Sequence, residues 1–280
     1  MAEDDKGAGR GSLILGGAAR NVTVAMASTI VVFTTITLVV VNSPGWEKVK
    51  TTFFDPQQFR RYSWPIGHAF VLNIKIAVVA EVLILILALA LAVMRSLPGP
   101  VFFPIRAMAI VYTDLFRGVP TILLVYLFGF GVPALALSNV PNSPTYLATA
   151  ALVMVYTAYV SEVYRSGIES VHPSQDAAAR SLGLSRWQAM KAVILPQAVR
   201  RVIPPLLNDF IGLQKDTALI SVLGVVEVLQ RANLASEAEF NYTPYVIAGL
   251  FFVAITIPQA RLTDWLINRD RRRQMAGGRM

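Results

Sequence analysis

The sequence predicts an all-α, polytopic membrane protein, a helical bundle of six spans, and three observations lead there. Apolar residues make up 55% of the 280 positions and charged residues only 15%. Soluble domains carry roughly 25% charged residues, so this chain has too little charge to cover a water-facing surface. Its mean hydropathy is +0.55. Several stretches also approach the roughly 20 apolar helical residues that a hydrocarbon core of about 30 Å requires. Finally, lysine and arginine are segregated along the chain, so its net charge of +8 reads as a topology signal and not as a nucleic-acid surface.

In chain order, the first span is residues 22–41, an uncharged stretch beyond a polar N-terminus, 1–21. Asn42-Ser43-Pro44 follows it where a cleaved signal would show a small-x-small site, so it reads as an anchor. An external loop completes the segment 22–65. Residues 68–94 hold only Lys75 and Glu81, whereas 119–137, 145–161 and 243–260 hold no charge. The polar ends, 1–12 and 269–280, are expected to be irregular.

Basic residues set the orientation. The tail beyond residue 260 and the loop 165–201 hold six Lys/Arg each, and the N-terminus and 95–117 hold three each. That is eighteen on one side against five in the remaining connections, so the first set is predicted cytoplasmic. Parity then requires a further crossing within 202–228, despite Asp209, Lys215, Asp216 and Glu227. Six spans result, with both termini cytoplasmic.

This fifth span is the polar one. Ionisable residues inside a membrane usually face a bundle interior or an aqueous cavity, and Pro204-Pro205, Gly212 and Gly224 permit a broken helix. Alternatively, Lys215 and Asp216 sit near a membrane face and snorkel. Asn208 could hydrogen-bond across helices or to a substrate. Glu162 and Arg165, three apart, either pair structurally, touch a neighbouring subunit, or leave Glu162 facing a cavity. The candidate substrate path is Glu162, Asn208, Lys215, Asp216 and Thr217.

The loop 165–201 contains an alanine-rich helix, Asp176 to Leu182, with Ser174 as a candidate N-cap and Gly183 as its stop. A second helix is expected from Arg186 to Leu195, interrupted by Pro196. Small side chains allow close approach of another backbone, and Leu182, Leu184 and Trp187 add apolar surface. A docking site and a plain connector both fit these residues. Absence of cysteine excludes disulfides and thiol catalysis. His68 and His172 lie far apart, so neither a metal site nor a catalytic residue is expected. H-E-x-x-H, G-x-S-x-G and the phosphate-cradling G-x-x-x-x-G-K-[ST] are all missing from the sequence.

Ala177-Ala178-Ala179, Gly183 and Val193-Ile194-Leu195-Pro196 resemble, at matching spacings, the cytoplasmic loop of ATP-binding-cassette importer permeases. Ala177 stands where that family usually has glutamate, with Asp176 one residue earlier. Further blocks resemble the polar amino acid permeases: Asp114-Leu115-Phe116-Arg117-Gly118-Val119-Pro120, the stretch from Ala158 to Ile168, Pro204-Pro205-Leu206 with Asn208, and Lys215-Asp216-Thr217-Ala218-Leu219-Ile220 with Gly224. The resemblance spans about residues 66–262. It implies a five-span type I permease core plus an extra N-terminal helix, with 263–280 as a basic cytoplasmic tail.

It further implies that two permease chains, identical or paralogous, form the pore above an ATPase dimer. The coupling loop, Asp176, Ala177, Ala178, Ala179, Leu182, Gly183 and Leu184, would dock on that dimer. An extracytoplasmic binding protein would deliver a polar amino acid. ATP and Mg would bind the partner ATPase, leaving this chain without a cofactor. The expected location is the cytoplasmic membrane, in contact with lipid and not with nucleic acid. Another small polar solute, a membrane-embedded enzyme and a passive channel are the alternatives.

Overall fold

The computed structural model describes residues 8–138 and 140–277, with side-chain surroundings for 21–138 and 140–269. Among the described residues there are helices and no strands. The chain divides into two compact units between Asp55 and Pro56. The first contains α1 (Ala8–Val41) and α2 (Trp46–Phe53). Within α1, Ser28 and Thr29 return their hydroxyls to the Ala25 carbonyl at 2.9 and 2.7 Å, which satisfies both polar groups inside an apolar helix.

The second unit begins with α3 (Pro56–Ser96), 41 residues long. At 1.5 Å per residue that is about 60 Å, well beyond one bilayer core. It therefore starts before the predicted 66–262 core. Next come α4 (Phe103–Gly118), α5 (Thr121–Tyr126), a π-helical turn Leu127–Gly131 and α6 (Val132–Ala134). The third predicted span is thus the 14-residue stretch Thr121–Ala134, bent by 102° from α4. Pro120 forces this corner, because the residue before a proline avoids helical angles; Val119 is extended, with ψ of 133°.

Among the described residues, four helical stretches are long and apolar enough to cross a membrane, and counting each of two bent pairs as one span makes up to six. The core lies between α3 and α7 (Pro144–Glu169). Ala80, Ala88, Ala148 and Ala151 pack there with Ile84, Leu152 and Val155. Small side chains are what membrane helices use for close approach, since lipid supplies no hydrophobic drive for association.

After α7 come α8 (Pro173–Ser181), α9 (Arg186–Ala189), a π turn Met190–Ile194 and α10 (Leu195–Asp216). The π turn accommodates Pro196, whose missing N–H and bulky ring would break regular helix. α10 runs through Pro204 and Pro205, tightens to a 3-10 segment over Thr217–Leu223, and stops at Gly224 with φ of +77°. The fifth span is therefore broken at the glycine and not at the prolines.

Beyond the fifth span, residues 231–239 lie within α11 (Val228–Glu239). Its Val228 and Ala232 join Ile66 and Phe70 of α3, and Ile247 and Ala248 of α12 (Thr243–Gly277), in a second cluster. The ends expected to be irregular are helical where described, from Ala8 and up to Gly277. Positions 1–7 and 278–280 lie outside the described residues.

Candidate functional site

Asn208, Asp209, Gly212 and Asp216 recur on one face of α10. With Thr121 of α5 and Tyr156 and Tyr159 of α7 they line a cavity of about 210 Å³. A side chain at Gly212 would meet the Tyr156 hydroxyl at 3.1 Å, so the glycine leaves room for that hydroxyl to reach across. It donates to Asp216 Oδ2 at 3.0 Å. Asp209 Oδ2 is closed off from solvent and has no hydrogen-bond partner among the described residues. A buried acceptor left open this way lacks the partner that such groups normally have. The Arg117 guanidinium stacks on the ring of Tyr159, one of the lining residues, 5.7 Å from its centroid. The cavity thus presents two carboxylates, an amide, two phenols and the Thr121 hydroxyl.

One turn further on, a second polar group is packed differently. Asn73 of α3, Thr217 and Glu227 are each 0% exposed. Asn73 Nδ2 donates to Thr217 Oγ1 at 3.0 Å and to Glu227 Oε2 at 2.7 Å, while its Oδ1 accepts from Val228 N at 3.1 Å. Glu227 Oε1 caps α11 by accepting from Gln230 N at 2.8 Å. This knot fastens the broken span to α3.

The candidate path residues therefore separate. Asn208 and Asp216 meet at the cavity, whereas Thr217 belongs to the knot. Glu162 is held by Arg95 at 2.7 Å and by Arg165. Lys215 is exposed and does not line the cavity. Tyr156 and Thr121 were not singled out from sequence, and Tyr159 entered only within the stretch from Ala158 to Ile168. The crossing of α7 with α10 brings in the two tyrosines, and the start of α5 brings in Thr121.

The loop helix α8 starts earlier than expected. Pro173 occupies its first turn, and His172 is the N-cap in place of Ser174, its Nδ1 accepting from Ser174 N at 3.2 Å. Proline suits that position because the first helical N–H needs no partner. The end follows the glycine rule: Gly183 has φ of +85°, its N–H donates to Arg180 O at 3.0 Å, and Leu184 N donates to Ala179 O at 3.3 Å. That pair of bonds is a Schellman motif, which needs the left-handed residue at this point. Ser185 and Gln188 then form a reciprocal capping box that opens α9. Ala177 and Ala178 are exposed, as are Leu182 (84%) and Trp187 (73%), while Ala179 is buried. The described residues contain no group of three or more His, Cys, Asp or Glu able to hold a metal.

The sequence pattern described as "Binding-protein-dependent transport system inner membrane component" matches residues 101–272. Similar proteins include the probable glutamine ABC transporter permease protein GlnM of Bacillus subtilis, 34% identical over 64% of this chain and 80% of that one. The arginine transport system permease protein ArtQ of the same organism is 34% identical over 69% and 86%. The glutamate/aspartate import permease protein GltK of Escherichia coli is 34% identical over 71% and 90%. Among solved structures, an amino acid ABC transporter crystallised with histidines superposes with a TM-score of 0.69 at 28% identity, over 75% of this chain and 95% of that one. The inward-facing methionine transporter MetNI shares the fold alone, at a TM-score of 0.53 and 15% identity. The chain belongs to the family of binding-protein-dependent transport system inner membrane components.

Proposed function

We propose that this chain is the membrane-spanning subunit of an ATP-driven importer for a polar amino acid. The observation that carries the substrate class is the cavity beside α10, where Asp209 and Asp216 supply negative charge and Asn208, Tyr156 and Tyr159 supply neutral hydrogen-bonding groups. An ammonium group would complete the open Asp209 acceptor, and the Arg117 guanidinium, stacked on Tyr159, suits a carboxylate. The relatives named for glutamine, arginine and glutamate/aspartate support the same class.

The family and the chain's own chemistry together support the partners. It lacks a phosphate-cradling loop, so ATP and Mg belong to a separate ATPase dimer. That dimer receives the coupling loop, Asp176 to Leu184, whose exposed alanines, Leu182 and Trp187 form a small apolar surface. A second permease chain and an extracytoplasmic binding protein complete the assembly. The segregation of basic residues supports a cytoplasmic position for both termini.

Reconstitution of the chain with its ATPase and binding protein tests the reading. ATP-dependent uptake should saturate with a polar amino acid and fall when Asp216 is replaced. Uptake of a polar solute without an ammonium group, with no amino acid taken up, would overturn the substrate class.

A further inference from the structure

Three spans converge where α8 begins. Near the end of α3, Arg95 Nη1 donates to Glu162 Oε2 of α7 at 2.7 Å. Glu162 Oε1 accepts from Arg165 Nε at 3.1 Å, and a second, shorter bond comes from Arg165 Nη2. Arg165 Nη1 in turn donates to both oxygens of Glu169 at 2.7 and 2.6 Å. Glu169 is the last residue of α7. Beside it, Arg201 of α10 donates to the Ser170 carbonyl and, at 3.1 Å, to the Ser170 hydroxyl. α7 and α10 also touch closely here, because a Cβ at Gly167 would strike the Val202 side chain.

The link from this junction to α8 is short. Only Ser170, Val171 and His172 separate the two helices; Val171 is buried and His172 caps α8. A displacement of α8 therefore reaches the end of α7 with little slack. What α7 then moves depends on the bonds that leave it.

Resting on the importer reading above, we propose that Arg95–Glu162–Arg165–Glu169, with Arg201–Ser170 beside it, transmits movement of α8 to α3, α7 and α10. Glu162 is its central positioning residue. Two features distinguish it from an ordinary surface ion pair. Glu162 and Arg95 are largely buried, with side chains 22% and 16% exposed. Glu162 also uses both oxygens, one for another helix and one for its own, so it cannot rotate away without releasing α3. Guanidinium–carboxylate bonds fix orientation as well as distance, as a lever between helices requires.

The test uses the complete complex in proteoliposomes, measuring binding-protein-stimulated ATP hydrolysis and uptake together. ATP-driven uptake by the wild type checks the importer reading separately; the variants check the lever. Arg95→Met should keep hydrolysis within about twofold while uptake per ATP falls about tenfold, the scale of one lost charge-assisted bond. Arg95→Lys, which keeps the charge, should restore most of that ratio. A wild-type ratio in Arg95→Met overturns the proposal, as does a parallel fall of uptake and hydrolysis. Should Arg95→Met not assemble, Arg201→Met at the exposed end decides: a lowered ratio supports the lever and an unchanged one overturns it.

Discussion

At the two ends of the same bend, around Asp216 and Glu227, two sets of polar side chains are finished in opposite ways. In the knot, Asn73, Thr217 and Glu227 meet with hydrogen bonds on every side and 0% exposure. In the cavity, Asp209 keeps an acceptor with no partner among the described residues, and Asp216 has one phenol on one oxygen. Both sets contain carboxylates within the candidate fifth span, where burying charge is expensive. The difference teaches that ionisable residues in a span do not by themselves mark a substrate path. Completed hydrogen bonding marks a fastening, and an acceptor left open beside a void marks a place for something else.

The largest effect should come from breaking the fastening. Glu227→Ala leaves the Asn73 amide short of a partner and removes the cap from Gln230 N. Each buried unsatisfied group costs about 1–3 kcal/mol and a lost cap about 1 kcal/mol more. The purified complex should unfold at a clearly lower temperature or fail to accumulate, and Glu227→Gln should lose less. Normal stability of Glu227→Ala would show the knot to be dispensable and erase the distinction drawn here.

The cavity should behave in reverse. Asp209→Asn and Asp216→Asn remove charges that no ion pair neutralises among the described residues, and an asparagine at 216 can still accept the Tyr156 hydroxyl, so stability should change by less than about 1 kcal/mol, or rise. Uptake should fall about tenfold or more, the loss of one charge-assisted bond to substrate. Wild-type uptake in both variants, in vesicles with matched amounts of complex, would return these residues to ordinary packing.

A third variant acts outside both sets. Gly183→Val places a Cβ in the left-handed region, at about 1–2 kcal/mol, and undoes the Schellman end of α8. Membrane insertion should be normal because the loop lies outside the spans. Uptake should fall through weakened ATPase attachment, and Arg186→Lys should do little. Full uptake by Gly183→Val would remove α8 from the coupling path.

The spans, the polar character of the fifth one and the glycine stop at Gly183 were legible in the sequence, because hydropathy and glycine placement act locally. The glutamate–arginine spacing at 162 and 165 was legible for the same reason, but Arg95, 67 positions away, was not. Nor was the pairing of Asn73 with Glu227, since a buried glutamate and a cavity glutamate look identical until their neighbours are known. The helical character of 231–242 was hidden by weak hydropathy. Its Ala232, Ala235 and Ser236 face is buried only because α3 and α12 are there to receive it.

The smallest effect sharpens the comparison at the scale of one residue. Lys215 and Asp216 are adjacent, and the sequence offered both as contacts for a substrate. On a helix they point about 100° apart, and the cavity takes only Asp216. Lys215 is exposed on the outer side, where a long side chain can carry its ammonium to water or lipid headgroups. Exposed substitutions of this kind usually change stability by less than about 0.5 kcal/mol. Lys215→Ala should therefore transport within about twofold of wild type, equivalent to roughly 0.4 kcal/mol, while Asp216→Ala in the same assay does not. A loss from Lys215→Ala as deep as that from Asp216→Ala would mean that the outer face of α10 also meets the substrate, and the boundary of the path would have to be redrawn around both residues.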